Sequence, residues 1–283
     1  MTSIEHKSDF VETSDSVRLS YSRSGPATRT LVFIPGWRQT AAQWRKQVEH
    51  FNKNYDVITF DQRGHGESDK PAFGLRIARL AADLNDLLTS LALDNVTLIG
   101  HSMGCSVIWA FWDLYPNMHG KLSKVILVDQ SPRMTADLTW TPEEAANCGA
   151  IFLPDRCQEI ARNLDVAAEG LIRAMFTSEV AEEDFRWVMK QNAKMSAQDA
   201  GTLFLDHAAN DWSDVLPRIN IPTLCIGAKG SLLPAQSMEL VSQKIPGSTI
   251  VTFEAQEGGS HFMFWQNPNK FNEVVAKFLT GGQ

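Results

Sequence analysis

The chain has 283 residues, of which 43 % are hydrophobic and 21 % charged, and its formal net charge at pH 7 is −7. This composition is that of a globular protein, and the length suits one α/β domain with an insertion. The negative charge argues against nucleic acid and anionic membranes as partners, because both require a basic surface, and no apolar run is long enough to span a bilayer. We therefore expect a small-molecule substrate.

The N-terminal segment 1–16 is polar and lacks the apolar core of a secretory signal. The cysteines show no paired spacing, and a chain of this size folds without disulfides, so we expect reduced thiols in a cytoplasmic protein. Cys148 and Cys157 have no histidine between them. The sequence accordingly predicts neither a metal site nor a cofactor.

Short apolar runs alternate with helical patterns along the chain. We predict strands, in chain order, at "VRLSYSRSG", "RTLVFIPG", "YDVITFD", "NVTLIG", "KVILVD" and "PTLCIG". Helical spacing of apolar residues marks "AAQWRKQVEHF", "RIARLAADLNDLLTSL" and "NKFNEVVAKFL". This alternation predicts a mostly parallel, doubly wound α/β sheet covered on both faces, and ligands bind such sheets at the carboxyl ends of the strands.

The interval 133–217 breaks this rhythm, since it contains helical patterns without a convincing strand. We expect it to form a helical cap, or lid, over the carboxyl-end crevice, and residues 1–132 and 218–283 to form the core. Most of its large apolar side chains should pack between cap and sheet. The candidates for substrate contact are Trp140, Phe152, Met175, Phe176 and Trp187 from the cap, with His101 from the core.

A Gly-His-Ser-Met-Gly stretch at 100–104 follows the run "NVTLIG" and precedes a predicted helix over about 103–114. Gly-x-Ser-x-Gly between a strand and a helix is typical of a nucleophile elbow, although a capping serine in an ordinary turn is the alternative. The turn of an elbow is so sharp that side chains at 100 and 104 would collide, which explains glycine at both positions. The sequence therefore predicts Ser102 as a catalytic nucleophile.

A serine nucleophile needs a base, which in this chain order is a late histidine. His261 follows the last strand signal and two glycines that let its loop fold back over the sheet edge. Other histidines fit the role less well: His65 lies in a Gly-rich turn, His101 within the elbow, and His207 in the helical insertion. We predict His261 as the general base.

The acid that orients this base is predicted from position along the sheet. The segment "AKGSLLP" after "PTLCIG" contains no carboxylate, whereas "KVILVD" ends in Asp129 at the carboxyl edge. Asp129 should accept the Nδ1 hydrogen of His261, fix its tautomer and stabilise the imidazolium. Glu254 and Glu257 are the alternatives, and they would reach His261 only if its loop doubled back.

A tetrahedral intermediate needs two hydrogen-bond donors at its oxygen, in an oxyanion hole. We predict the amide of Met103, immediately after the nucleophile, and the amide of Trp37, in the loop after "RTLVFIPG". The Trp37 indole is expected to line the site, to pack under the cap, or both.

These motifs resemble those of the α/β-hydrolase superfamily over nearly the whole chain: "IPGW" as the oxyanion loop, "FDQRGHGES" as a second turn, "GHSMG" as the elbow and "GGSHFMFWQNP" as the histidine loop. The resemblance implies an enzyme whose Ser, Asp, His order is met by Ser102, Asp129 and His261. Most members carry the acid after a later strand. This chain resembles a class of members in which the acid follows the earlier strand. That class includes some lactonases.

Two chemistries follow from the resemblance, because the fold supports many reactions. The first is hydrolysis of a carboxylic ester or lactone of a small apolar or aromatic substrate, through an acyl-enzyme on Ser102. The alternative is cofactor-independent 2,4-dioxygenation of a 3-hydroxy-4-quinolone-type ring, with the His–Asp pair as base. Such dioxygenases resemble this chain in "PGW", "RGHG" and an Asp ending the same strand, but the intact elbow favours hydrolysis. A third hypothesis is a non-enzymatic receptor that retains the three residues.

Overall fold

The computed structural model describes residues 7–26, 28–178 and 180–281. The outermost residues of the expected core, 1–6 and 282–283, lie outside this part. The strands are β1 (Lys7–Glu12), β2 (Arg18–Ser24), β3 (Thr30–Ile34), β4 (Asp56–Phe60), β5 (Val96–His101), β6 (Leu122–Val128), β7 (Thr223–Ala228) and β8 (Thr249–Phe253). Over the described ranges they form one 8-stranded sheet in the order β1-β2-β4-β3-β5-β6-β7-β8.

The strands from β3 to β8 pair in parallel, while β1 and β2 run antiparallel to their neighbours at one edge. The prediction of a mostly parallel α/β sheet is confirmed. β1 is absent from the sequence prediction because its side chains are mainly polar and exposed, with Val11 as a buried exception. An edge strand of this kind shows little of the apolar alternation by which strands are recognised.

Helices connect the strands and cover the sheet. They are α1 (Arg45–Phe51), α2 (Ile77–Ser90), α3 (Met103–Leu114), α4 (Pro142–Asn147), α5 (Pro154–Arg162), α6 (Leu164–Arg173), α7 (Glu182–Asn192), α8 (Ala197–Ala209), α9 (Ala235–Lys244), α10 (Met263–Gln266) and α11 (Pro268–Leu279). In α2, Leu80, Leu84 and Leu87 recur at helical spacing and are buried, each stabilising the fold by about 2 kcal/mol. No helix among the described residues is both long and apolar enough to cross a bilayer.

Alternate residues of the central strands pack into two hydrophobic cores. In β3, Val32 and Ile34 belong to one core, whereas Leu31 and Phe33 belong to the other. Successive side chains of a strand point to opposite faces, so a strand covered on both sides is apolar throughout. This arrangement explains the continuous apolar run at β3 and aligns the carboxyl ends of the parallel strands along one rim.

Helices α4 to α8 lie between β6 and β7 in the chain, within the predicted cap 133–217. Helix α8 packs against α5 and also contacts α2. The loop after β3 meets the same helix, because the Trp37 indole donates a hydrogen bond to the carbonyl of Ala200 at 2.9 Å. The Trp37 ring also packs on Phe204, with ring centroids 5.4 Å apart. The helical segment therefore covers the rim beside the loop after β3.

Candidate active site

Ser102 lies at a sharp turn between β5 and α3. Its backbone has φ +54° and ψ −126°, a strained conformation for a residue with a side chain, which costs about 1–3 kcal/mol. A Cβ on Gly100 would come within 2.6 Å of the Gly104 carbonyl oxygen, and one on Gly104 within 2.4 Å of the Ile34 carbonyl oxygen. The turn therefore requires glycine at both positions, and Ser102 lines a cavity above the rim.

His261 and Asp129 form a buried hydrogen-bonded pair. Nδ1 of His261 lies 2.6 Å from Oδ2 of Asp129, and the two side chains are 2 % and 1 % exposed. A carboxylate can only accept, so Nδ1 carries the hydrogen and Nε2 keeps its lone pair. Asp129 directly follows β6 with a φ of +51°, and its N–H donates to the carbonyl of Ile226 at 2.8 Å. The end of the strand thus holds the carboxylate under the imidazole.

Ser102 and His261 line the same cavity, and Asp129 is bonded to His261. The structure therefore brings the three predicted residues together at one rim. Among the described residues, Nε2 of His261 has no hydrogen-bond partner. Nδ1 of the ring bonds to Asp129, and the main-chain carbonyl of His261 bonds to His101. Bonds between a serine and its base often tighten only around a bound substrate.

The loop after β7 reaches the same carboxylate. Ser231 donates from Oγ to Oδ2 of Asp129 at 2.5 Å, and the Leu233 N–H donates to that Oγ at 3.1 Å. This contact was not predicted from the sequence, since a serine in a loop carries no distinctive signal. The alternative acids are paired elsewhere: Glu254 binds the Lys229 ammonium at 2.6 Å, and Glu257 binds a lysine of α11.

The backbone N–H groups of Trp37 and Met103, beside the elbow, donate to no acceptor in the described structure. Gly36 donates to the Gln39 amide oxygen at 3.0 Å and Arg38 donates to Nε2 of His65 at 3.1 Å, which leaves the Trp37 N–H between them without a partner in the described structure. Met103 opens α3, so its N–H has no acceptor within the helix. A Cβ on Gly36 would lie 2.9 Å from the Cβ of Ser102. The loop after β3 therefore lies directly against the elbow.

His65 holds this loop in place. Its Nδ1 donates to the Arg63 carbonyl at 2.9 Å, and its Nε2 accepts the N–H of Arg38. Burial lowers the pKa of His65 to about 4, so the ring is neutral and keeps the acceptor nitrogen that the loop needs. Arg38 has a φ of +58°, and this hydrogen bond stabilises that strained backbone.

The cavity beside Ser102 has a volume of about 40 Å³. A space of this size holds only a few atoms. Its lining residues are Trp37, Ser102, Gln130, Met134, Phe152, Leu171, Met175, Phe204, His207, Leu232, Leu233 and His261. Of the predicted substrate contacts, Phe152 and Met175 are among them.

Several lining residues were not predicted from the sequence. Gln130 directly follows Asp129, and Leu232 and Leu233 directly follow Ser231, so proximity to the carboxyl end of a strand was a usable signal. Met134, Leu171 and His207 come from the helical segment, where sequence spacing does not show which face of a helix meets the cavity. Trp37 lines the cavity and its indole also packs under α8, so the side chain takes both of the positions expected for it.

The expectation that His101 contacts substrate is corrected by the structure. The ring is fully buried, with Nδ1 2.9 Å from the Gln39 amide oxygen and Nε2 2.7 Å from the carbonyl of His261. Burial lowers the pKa of His101 well below its usual value. The side chain therefore supports the histidine loop from behind and does not line the cavity.

Three aromatic residues of the helical segment that were predicted to contact substrate are absent from the cavity lining. Phe176 stacks on Phe262 with ring centroids 4.6 Å apart, and Trp187 stacks on Trp265 at 4.8 Å. Trp140 lies against an arginine guanidinium 4.4 Å from its ring centroid. Aromatic stacking and cation–π contacts hold these rings, and their contact with substrate stays a prediction.

A family model described as the alpha/beta hydrolase fold matches residues 29–268. The chain belongs to the α/β-hydrolase family. The resemblance seen in its motifs is thus confirmed, and the family is one of enzymes.

Among its relatives, this α/β hydrolase is 29 % identical over 283 residues to a putative non-heme chloroperoxidase from Synechocystis sp., covering 95 % of this chain and 97 % of that protein. It is 27 % identical over 273 residues to 3-oxoadipate enol-lactonase 2 from Acinetobacter baylyi, covering 94 % and 95 %. An esterase from Exiguobacterium antarcticum shares its fold, with a TM-score of 0.86, 24 % identity and coverage of 97 % and 100 %. These comparisons support a hydrolase activity.

Proposed function

We propose that this α/β hydrolase is a serine hydrolase that cleaves a carboxylic ester or a lactone of a small, apolar or aromatic substrate. The observation that carries the proposal is the buried His261–Asp129 pair, which opens into the same cavity as Ser102. Similarity to an enol-lactonase over 94 % of the chain supports an ester or lactone as the reacting group.

In the proposed mechanism, Ser102 Oγ attacks the carbonyl carbon of the substrate while Nε2 of His261 takes the hydroxyl proton. The carbonyl oxygen becomes an oxyanion and accepts hydrogen bonds from the N–H groups of Trp37 and Met103. The bond from carbon to the leaving oxygen then breaks, and the imidazolium returns its proton to the departing alkoxide. Asp129 stabilises the imidazolium while it exists.

Water completes the proposed cycle. It attacks the acyl-enzyme while His261 takes its proton, and the carboxylic acid leaves as Ser102 regains a proton. Both halves of the reaction need a lone pair on Nε2 of His261, which the hydrogen bond to Asp129 provides. With a lactone, the alcohol and the acid are two ends of one product.

The cavity lining supports an apolar substrate. Phe152, Leu171 and Phe204 present aliphatic and aromatic surface. Within the described residues no Lys or Arg lines the cavity, and a phosphate handle calls for such a cation. We therefore place a neutral, apolar acyl or alcohol part against this wall.

The test is turnover of three substrate classes by wild type and Ser102→Ala: p-nitrophenyl esters, aromatic lactones and 3-hydroxy-4-quinolones. Loss of the nucleophile should lower ester or lactone hydrolysis at least 10³-fold. Ser106→Ala is the matched control, since Ser106 is a buried serine one turn along α3 with no hydrogen bond to its hydroxyl in the described structure, and it should keep activity. Quinolone turnover with oxygen consumption that survives in Ser102→Ala would instead identify the cofactor-independent dioxygenase.

A further inference from the structure

The cavity beside Ser102 contains a histidine that the proposed mechanism does not use. His207, near the end of α8, lines the cavity together with Ser102 and His261. The residue is 4 % exposed, and within the described structure its Nδ1 has no hydrogen-bond partner. A buried polar nitrogen without a partner destabilises the folded protein, so its presence in a native site calls for an explanation.

Packing does not explain a histidine at this position. Met134, Phe152 and Phe204 line the same cavity, and Leu203 and Phe204 on the same helix as His207 are buried apolar residues. A leucine or phenylalanine at position 207 would extend this wall and leave no nitrogen unpaired. The imidazole therefore adds polarity to an otherwise apolar surface.

Among the described lining residues, the other polar side chains come from the loops at the sheet rim and not from the helical segment. Gln130 donates from Nε2 to the Ser131 carbonyl at 2.9 Å, while Ser102 and His261 belong to the reacting centre. This leaves His207 for a part of the substrate that lies away from the reacting carbonyl.

The charge state of His207 limits what it can bind. Burial lowers its pKa to about 3, so the ring is neutral at physiological pH and offers one N–H donor and one acceptor nitrogen. A hydroxyl or a carbonyl suits such a group. A carboxylate requires a cation, and no Lys or Arg lines this cavity within the described ranges.

We propose that His207 is a specificity-determining residue that hydrogen-bonds a neutral hydroxyl or carbonyl on the apolar part of the substrate. The inference rests on the proposed function and names its substrate class: an ester or lactone whose apolar body carries one such group away from the scissile carbonyl. A plain alkyl chain leaves His207 unpaired, and an anionic chain meets no cation. Both are therefore poorer substrates than the neutral polar one.

The test compares p-nitrophenyl valerate with its keto analogues, in which one methylene is replaced by a carbonyl at successive chain positions, and with a carboxylate-ended ester. The ratio of kcat/KM for the best keto ester to kcat/KM for valerate is measured in wild type, His207→Leu and His207→Gln. Intrinsic reactivity cancels when the ratio is compared between enzymes. We expect the ratio to fall about 10- to 100-fold in His207→Leu and to recover in His207→Gln, which keeps a donor and an acceptor.

Phe204→Leu is the matched control, because it trims an apolar lining residue of the same helix and should change both rates in proportion. An unchanged ratio in His207→Leu, or a preference for the carboxylate ester, would overturn the assignment while ester hydrolysis stands. Binding of the corresponding aryl amides, measured by calorimetry with wild type and His207→Leu, tests the same preference without turnover. If no ester is hydrolysed, the proposed function fails, but the amide affinities still decide the role of His207. If His207→Leu loses the same factor of affinity for the keto amide as for the alkyl amide, the role of His207 is refuted.

Discussion

Replacement of Asp129 by Asn isolates the contribution of the buried carboxylate. Oδ2 of Asp129 accepts from Nδ1 of His261 at 2.6 Å and from Oγ of Ser231 at 2.5 Å. Asn has nearly the same volume, so the packing is retained, but it carries no charge and its NH₂ group cannot accept. If that group faces Nδ1, the ring adopts the opposite tautomer and cannot remove the proton of Ser102.

The magnitude follows from the lost charge. With the carboxylate and imidazolium charges centred about 4 Å apart, at an effective dielectric constant of about 20, their attraction is about 4 kcal/mol. Since 1.36 kcal/mol corresponds to a factor of ten in rate, kcat should fall about 10³-fold. Asp129 and His261 are 1 % and 2 % exposed, so added salt should screen this attraction only weakly in wild type.

The assay is steady-state hydrolysis of a short-chain p-nitrophenyl ester by wild type, Asp129→Asn and Glu254→Gln, with circular dichroism to verify folding. Glu254 pairs with Lys229 at 2.6 Å outside the cavity, so its amide variant should retain wild-type kcat within about twofold. A kcat of Asp129→Asn within tenfold of wild type would refute the electrostatic reasoning. Combined with an inactive Glu254→Gln, that result would move the acid to Glu254.

Three further outcomes are expected. Ser231→Ala frees one side of the Asp129 carboxylate, and kcat should fall about tenfold with little change in KM, as measured by Michaelis–Menten kinetics. Gly104→Ala places a Cβ 2.4 Å from a strand carbonyl oxygen, and urea unfolding should show a loss of about 2–3 kcal/mol. His65 and His207 have pKa values lowered to about 4 and about 3, so below pH 6.5 the unfolded chain binds protons that the folded chain does not. The free energy of unfolding should therefore decrease by about 2 kcal/mol per histidine between pH 7.5 and pH 5, and His207→Leu should remove its share of that decrease.

The fold was largely predictable because its strands are buried on both faces. Strands such as β3 and β5 are short apolar runs bounded by turn residues, and the predicted helix over 103–114 coincides with α3 (Met103–Leu114). β1 escaped prediction, since a polar edge strand is defined by its pairing with β2 and not by its own side chains.

Some residues of the site could likewise be predicted from the sequence, and others could not. Ser102, Asp129 and His261 follow strands or glycine-rich turns whose position on the rim can be deduced, and the structure brings them together. The cap contacts could not be deduced in the same way, because Phe176 and Trp187 have the same composition signal as Phe152 but stack on other aromatics. Which helix face meets the cavity depends on tertiary packing, and sequence spacing does not specify that.

The most direct test of the account is covalent labelling of the nucleophile. An aryl fluorophosphonate, which phosphonylates activated serine hydroxyls with loss of fluoride, is incubated with wild type and Ser102→Ala. The products are followed by intact mass and peptide mapping alongside residual esterase activity. We expect one label per chain on Ser102, loss of activity in step with labelling, and no label on Ser102→Ala. Esterase activity that persists while Ser102 stays unlabelled, or a label that maps to another residue, would contradict it.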